Sequence, residues 1–211
     1  MGSKTKCGMI FNRKHFLTLL IFALFSLLSS VSAHEKNRVL SYHDYIHRAK
    51  SHLFKGQPNK AIEDCGRAID LNPRDPTAYY VRGHCYNVKV QYEKAIGDMK
   101  TGIALDPKGY TMNGILSKIH CRYGNLLKRK GQYDKAIEQY SAAIALNPRA
   151  PLPYAGRGYA YILKGSLQSA IADLQKACDL GEKDGCRILE VLKGNVTPER
   201  VSDRRGNPDV Q

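Results

Sequence analysis

"GQYDKAIEQYSAAIALNP" (131–148) opens on a glycine, runs through an amphipathic pattern with alanines at helical spacing, and stops at Asn-Pro. The same outline stands at 56–73, 90–107 and 165–182, with offsets of 34, 34 and, between the middle pair, 41 residues. Each copy carries Ala-Ile: Ala61-Ile62, Ala95-Ile96, Ala136-Ile137 and Ala170-Ile171. Seven residues after each alanine stands Ala68, Gly102, Ala143 or Ala177, and three further on Leu71, Leu105, Leu146 or Leu180. That spacing lays one apolar stripe along a helix.

Twelve residues before each alanine is another small residue, Ala49, Gly83, Gly124 or Gly158, and four before that is Tyr45, Tyr79, His120 or Tyr154. Each unit therefore reads as two helices, with a small residue at their closest approach and an aromatic wedge beside it. Pro73, Pro107 and Pro148 end the second helix, because proline cannot continue the hydrogen-bond ladder.

At these residues the chain resembles the tetratricopeptide repeat family, a helix–turn–helix unit of about 34 residues. The resemblance covers roughly 42–182 and implies an all-α, right-handed superhelical solenoid. Its units span 42–75, 76–109, 117–150 and 151–184, behind a lead-in at 34–41. One unit cannot bury its stripe alone, so neighbours stack and leave a concave inner surface. Residues 110–116 are an insertion that either lengthens the first helix of unit three or forms a loop, since Gly109 and Gly114 weaken helix. Gly97 and Gly102 predict that unit two is the softest part of the array. The tryptophan usual in the family is absent.

Residues 1–33 read as a secretory signal: Lys4, Lys6, Arg13 and Lys14, then the apolar run "FLTLLIFALFSLL" (16–28), then small residues ending at Ala33. As a helix that run reaches about 20 Å, short of a hydrocarbon core of roughly 30 Å, so no stable anchor is expected after cleavage. The chain beyond it keeps 29 Lys+Arg against 19 Asp+Glu, a net charge of +10, in a periplasmic or extracellular compartment where disulfides persist.

The fourth unit ends on "KACDLGEKDGCRILEVLKG" (176–194) in place of Asn-Pro. It resembles the cysteine-paired Sel-like repeats, and that resemblance implies a Cys178–Cys186 disulfide worth about 2–3 kcal/mol, the alternative being two buried thiols. A short helix over 185–194 would cap the last apolar face, and 195–211 reads as a polar tail. Cys65 and Cys85 lie on packed elements and allow a second disulfide or two buried thiols. Cys121 is left over.

Chemistry-bearing motifs are few. There is no Cys-x-x-Cys and no glycine-rich phosphate loop, and pairs such as Glu63-Asp64 read as a solvated helix face. His43, His47 and His84 could share a groove, but no fourth ligand completes a metal site. No enzyme activity, metal or cofactor is expected.

In the resembling family the first helix of each unit lines the groove. Carried over, that places His43, His47 and Lys50, then Tyr80, His84 and Asn87, then Lys118, Arg122, Asn125 and Arg129, then Tyr159 on the inner surface. The third set forms a basic row that attracts carboxylates or phosphates. Lys118 and Arg122 fit the last part of the family's carboxylate clamp, but Ile46 and Val81 stand where its polar residues belong, so that ligand is not implied. The reading is an interaction module of the cell envelope or secreted space that takes an acidic segment of a protein partner, not nucleic acid. The alternative is an anionic envelope polymer, such as cell-wall glycan or lipid headgroups, and behind it a metal- or redox-active protein, which rests on the histidine cluster and the odd cysteine.

Overall fold

A computed structural model describes residues 40–107 and 110–194, apart from the side chains of 110 and 111. The expected signal and tail lie outside the described residues. Every described element is helical, and the described helices belong to one compact unit. Unit one is α1 (Tyr42–Phe54) and α2 (Pro58–Leu71), and unit two is α3 (Pro76–Val88) and α4 (Tyr92–Leu105). Unit three is α5 (Tyr110–Arg129) and α6 (Tyr133–Leu146). Unit four is α7 (Pro151–Leu163) and α8 (Leu167–Asp179), followed by α9 (Lys183–Leu192). Each helix packs on the next in sequence, which makes a helical solenoid.

The boundaries follow from local chemistry. Ser41 and Asp44 form a reciprocal capping box at the start of α1, and the Asp75 carboxylate accepts from the Thr77 N–H at the start of α3. Asn72, Asp106 and Asn147 each precede proline and leave the helical region of backbone space, so α2, α4 and α6 stop one residue earlier. Within each unit the turn closes with a six-to-one backbone bond, as from Gln57 N–H to His52 C=O at 2.8 Å. The turn needs one left-handed residue: glycine at 56, 131 and 165, but Val90 (φ 61°) in unit two.

Alanines make the tightest contacts. Ala49 and Ala61 are fully buried with Cys65 and Cys85 between units one and two, and Ile46 packs with Ala68 and Ala78. Cys65 and Cys85 are free thiols, so no second disulfide joins them. Leu71 and Leu105, at the end of the expected stripe, are exposed instead.

The insertion is helix, giving α5 20 residues. Ile115, Leu116 and Ile119 cover Tyr92 and Met99 of unit two, and that burial outweighs the roughly 1 kcal/mol that Gly114 costs. Gly102 has a packing role: a Cβ there would sit 2.4 Å from the Tyr80 ring. The Cys178–Cys186 disulfide ties α8 to α9, and Gly185 and Leu189 of α9 are buried on that side.

Both ends of the stack are polar. Ala78, Val81 and Cys85 of α3 face unit one, whereas the same repeat positions in α1 hold Asp44, His47 and Ser51. On α9, Lys183, Asp184, Arg187 and Glu190 are exposed, with Val191 the one large apolar side chain exposed among them. Between these ends the buried clusters are filled from neighbouring helices of the same stack, although Leu71 and Leu105 stay exposed at the stripe ends.

Candidate ligand groove

Tyr140 of α6 organises the inner surface. Its fully buried ring fills the space left by Gly124 on α5 and Gly156 on α7; an added Cβ would come within 2.8 and 2.5 Å of it. The two first helices are thereby held close. The Tyr140 hydroxyl donates to Asn125 Oδ1 at 2.7 Å, which leaves the Asn125 amide N–H groups as donors into the groove.

Asn125 lines all three recesses here. One of ≈ 530 Å³ is bounded by Lys118, Cys121, Arg122 and the apolar shelf Pro151, Leu152 and Pro153. Another of ≈ 510 Å³ is walled by Tyr92, Arg122, Lys128 and Arg129. The third, of ≈ 190 Å³, runs past Lys128 and Tyr159 to Glu182 and Asp184. Among the described residues, Lys118, Arg122, Lys128 and Arg129 are in ion pairs with no carboxylate. The Lys128 ammonium lies 4.9 Å from the centroid of the Tyr159 ring. Burial lowers its pKa, with Cys121 acting the other way. Burial raises the Cys121 thiol, opposed by Lys128 and Arg122, so it is a packed thiol rather than an activated one.

Of the residues expected inside the groove, Lys118, Arg122, Asn125, Arg129 and Tyr159 meet at these recesses. His43, His47 and Lys50 on α1 and His84 on α3 are exposed but line none of them. No three His, Cys, Asp or Glu side chains gather around a common point among the described residues. Tyr80 and Asn87 line none of these recesses either: the Tyr80 ring packs on Gly102, and Asn87 is 8% exposed. Lys128 was missing from the expected set, although the 41-residue offset from Asn87 leads to it. Leu152, Glu182 and Asp184 lie in the apolar and acidic stretches that a search for basic rows passes over.

The aspartate of Glu63-Asp64 is not on a solvated face. Asp64 is 5% exposed and accepts from Arg48 Nε at 2.9 Å and Nη2 at 2.5 Å. Arg82–Asp98 and Arg157–Asp173 repeat this clasp, and each guanidinium lies over Tyr45, Tyr79 or Tyr154. The recurring sixteen-residue step from Arg to Asp was the signal. A cleft of ≈ 390 Å³ beside Arg48 is therefore lined by a guanidinium already committed to Asp64.

The architecture and its trough define a helical-repeat protein of the kind whose members generally mediate protein–protein interaction. The chain carries tetratricopeptide repeats: models described as "Tetratricopeptide repeat" match residues 47–110 and 153–184, and one described as "TPR repeat" matches 124–165. Among curated relatives, the human "FK506-binding protein-like" is 34% identical over 71 residues, covering 34% of this chain and 20% of that protein. "Small glutamine-rich tetratricopeptide repeat-containing protein 2" of Mycosarcoma maydis is 32% identical over 92 residues, covering 39% of this chain and 24% of that protein. The matches thus span about a fifth to a quarter of these relatives' own lengths. Among solved structures, "Crystal structure of MamA" has a TM-score of 0.51 and 26% identity, covering 74% of this chain and 85% of that one. "MamA 41-end from Desulfovibrio magneticus RS-1" has a TM-score of 0.52 at 22% identity, covering 78% and 87%, and is a likeness of fold alone.

Proposed function

We propose that this protein is an exported, non-enzymatic interaction module that grips an acidic, extended segment of a partner protein between α5 and α7. The observation that carries the reading is the set of four cations, Lys118, Arg122, Lys128 and Arg129, which line recesses that share Asn125 and are in ion pairs with no carboxylate among the described residues. The Asn125 amide adds donors, and Leu152 with Pro151 and Pro153 adds an apolar shelf. A ligand rich in carboxylates with an aliphatic residue beside them satisfies both. The trough is preformed, so little ordering cost falls on this side. The basic start and apolar run of residues 1–33 support export, and the paired cysteines of the last unit support kinship with Sel-like repeats.

The test is fluorescence anisotropy with an extended peptide of alternating glutamate and leucine against its lysine counterpart. The glutamate peptide should bind, weaken with added salt, and lose at least about tenfold in affinity on Arg122→Glu or Lys118→Glu. Equal binding of the two peptides, or of wild type and Arg122→Glu, would refute the reading.

A further inference from the structure

The groove leaves one edge of the solenoid unexplained, the edge made by the turn inside each unit. Lys89 in the turn of unit two bonds to Asn59 of unit one, and Lys164 in unit four to Asp134 of unit three. Consecutive turns therefore lie side by side. Along them Phe54 is 94% exposed, and Val88, Val90, Leu163 and Leu167 are each about half exposed (51–53%).

Lysines run through the same turns in two exposed rows, Lys55, Lys89, Lys130 and Lys164 in one and Lys60, Lys94 and Lys135 in the other. The segments 54–60, 88–94, 129–135 and 163–169 contain only two acids, Glu93 and Asp134. The opposite edge differs in charge, not in greasiness. It exposes Leu71, Leu105 and Leu152, but in its connecting segments Arg74, Lys108, Arg149 and Lys183 are offset by Asp75, Asp106, Glu182 and Asp184.

Val90 adds a second observation. The other three turns place glycine at the left-handed position, while unit two holds a β-branched side chain there, strained and 53% exposed. That side chain belongs to none of the hydrophobic clusters among the described residues. Aliphatic groups standing in water among lysines contribute nothing to a soluble polyanion, which would use the ammonium groups alone. An anionic bilayer uses both, taking the lysines at its headgroups and the apolar tips at the acyl boundary.

We propose that this turn edge docks on an anionic phospholipid surface. The test is co-sedimentation of residues 41–211, a compact unit with polar ends, with vesicles of phosphatidylcholine alone or with added phosphatidylglycerol. Binding should require phosphatidylglycerol and fall with salt. The exposed double variant Lys55→Glu/Lys60→Glu should lower partitioning at least about tenfold, and Phe54→Ser about tenfold. Arg74→Glu on the opposite edge and Arg122→Glu in the groove should leave it unchanged, and thermal melts should show all variants folded. Equal binding to both vesicle types, or equal loss with Arg74→Glu, overturns the proposal. So does an unchanged Phe54→Ser variant that inorganic polyphosphate displaces completely, which would assign the edge to a soluble polyanion.

Discussion

In units one, two and four an arginine on the first helix grips an aspartate sixteen residues later; in unit three the same positions hold Tyr123 and Gln139. Tyr123 turns its hydroxyl back to Glu93 of unit two, and His120 meets Gln139 at 2.8 Å. Tyr140, wedged between two glycines, supplies the packing. Unit three is thus joined by neutral or singly charged hydrogen bonds and one large ring, while four of its cations, Lys118, Arg122, Lys128 and Arg129, line the groove. The clasp is one solution to holding two helices together, and unit three shows that the frame survives without it. A unit that does not spend its cations on internal aspartates has them available for a ligand.

The sharpest way to break this comparison is Tyr140→Ala. Removing a fully buried ring that also fixes Asn125 should cost about 3–5 kcal/mol in urea unfolding, and a loss under about 1 kcal/mol would mean that α5 and α7 are held by something else. Next comes the clasp itself. Asp98→Ala leaves the Arg82 guanidinium, whose side chain is 24% exposed, without its partner and should cost about 1–3 kcal/mol. A double-mutant cycle with Arg82→Ala should show coupling, whereas Tyr123→Ala and Gln139→Ala, at the matching positions of unit three, should be additive.

Val90→Gly should stabilise unit two by about 1 kcal/mol in thermal melts, because glycine relieves the left-handed strain that the other turns avoid. The smallest effect expected is a pH dependence confined to unit three. Burial lowers the His120 pKa below its ordinary value near 6.5, so the folded state binds fewer protons than the unfolded chain just below that pH. Stability should therefore fall as pH drops below about 6.5 and level off once the folded-state pKa is passed. His120→Gln should flatten that slope in melts across the range, and an unaltered slope would place its source elsewhere.

Much of this was legible in residue spacing. Ala-Ile pairs at fixed offsets disclosed the units, and the prolines at 73, 107 and 148 disclosed where second helices stop. The basic row of α5 could be read as Lys118, Arg122, Asn125 and Arg129 because helical periodicity places them together without reference to any neighbour. The surroundings of Tyr80 and Asn87 were not legible for the complementary reason: whether a polar side chain faces the groove or a packed helix depends on the partner helix, here Gly102 opening a slot for Tyr80.

The amino-acid sequence by itself determined the repeat, the number of helical pairs and the excess of positive charge, since these depend on local periodicity and composition. Tertiary structure decided which charges are spent inside, as at Asp64, and which stay available, as at Arg122 and Lys128. It also decided that 110–116 is helix, because only contact with Met99 and Tyr92 repays the glycine. The physical reason is that helix propensity and stripe are local, whereas desolvation and pairing are properties of whatever surface comes to lie opposite.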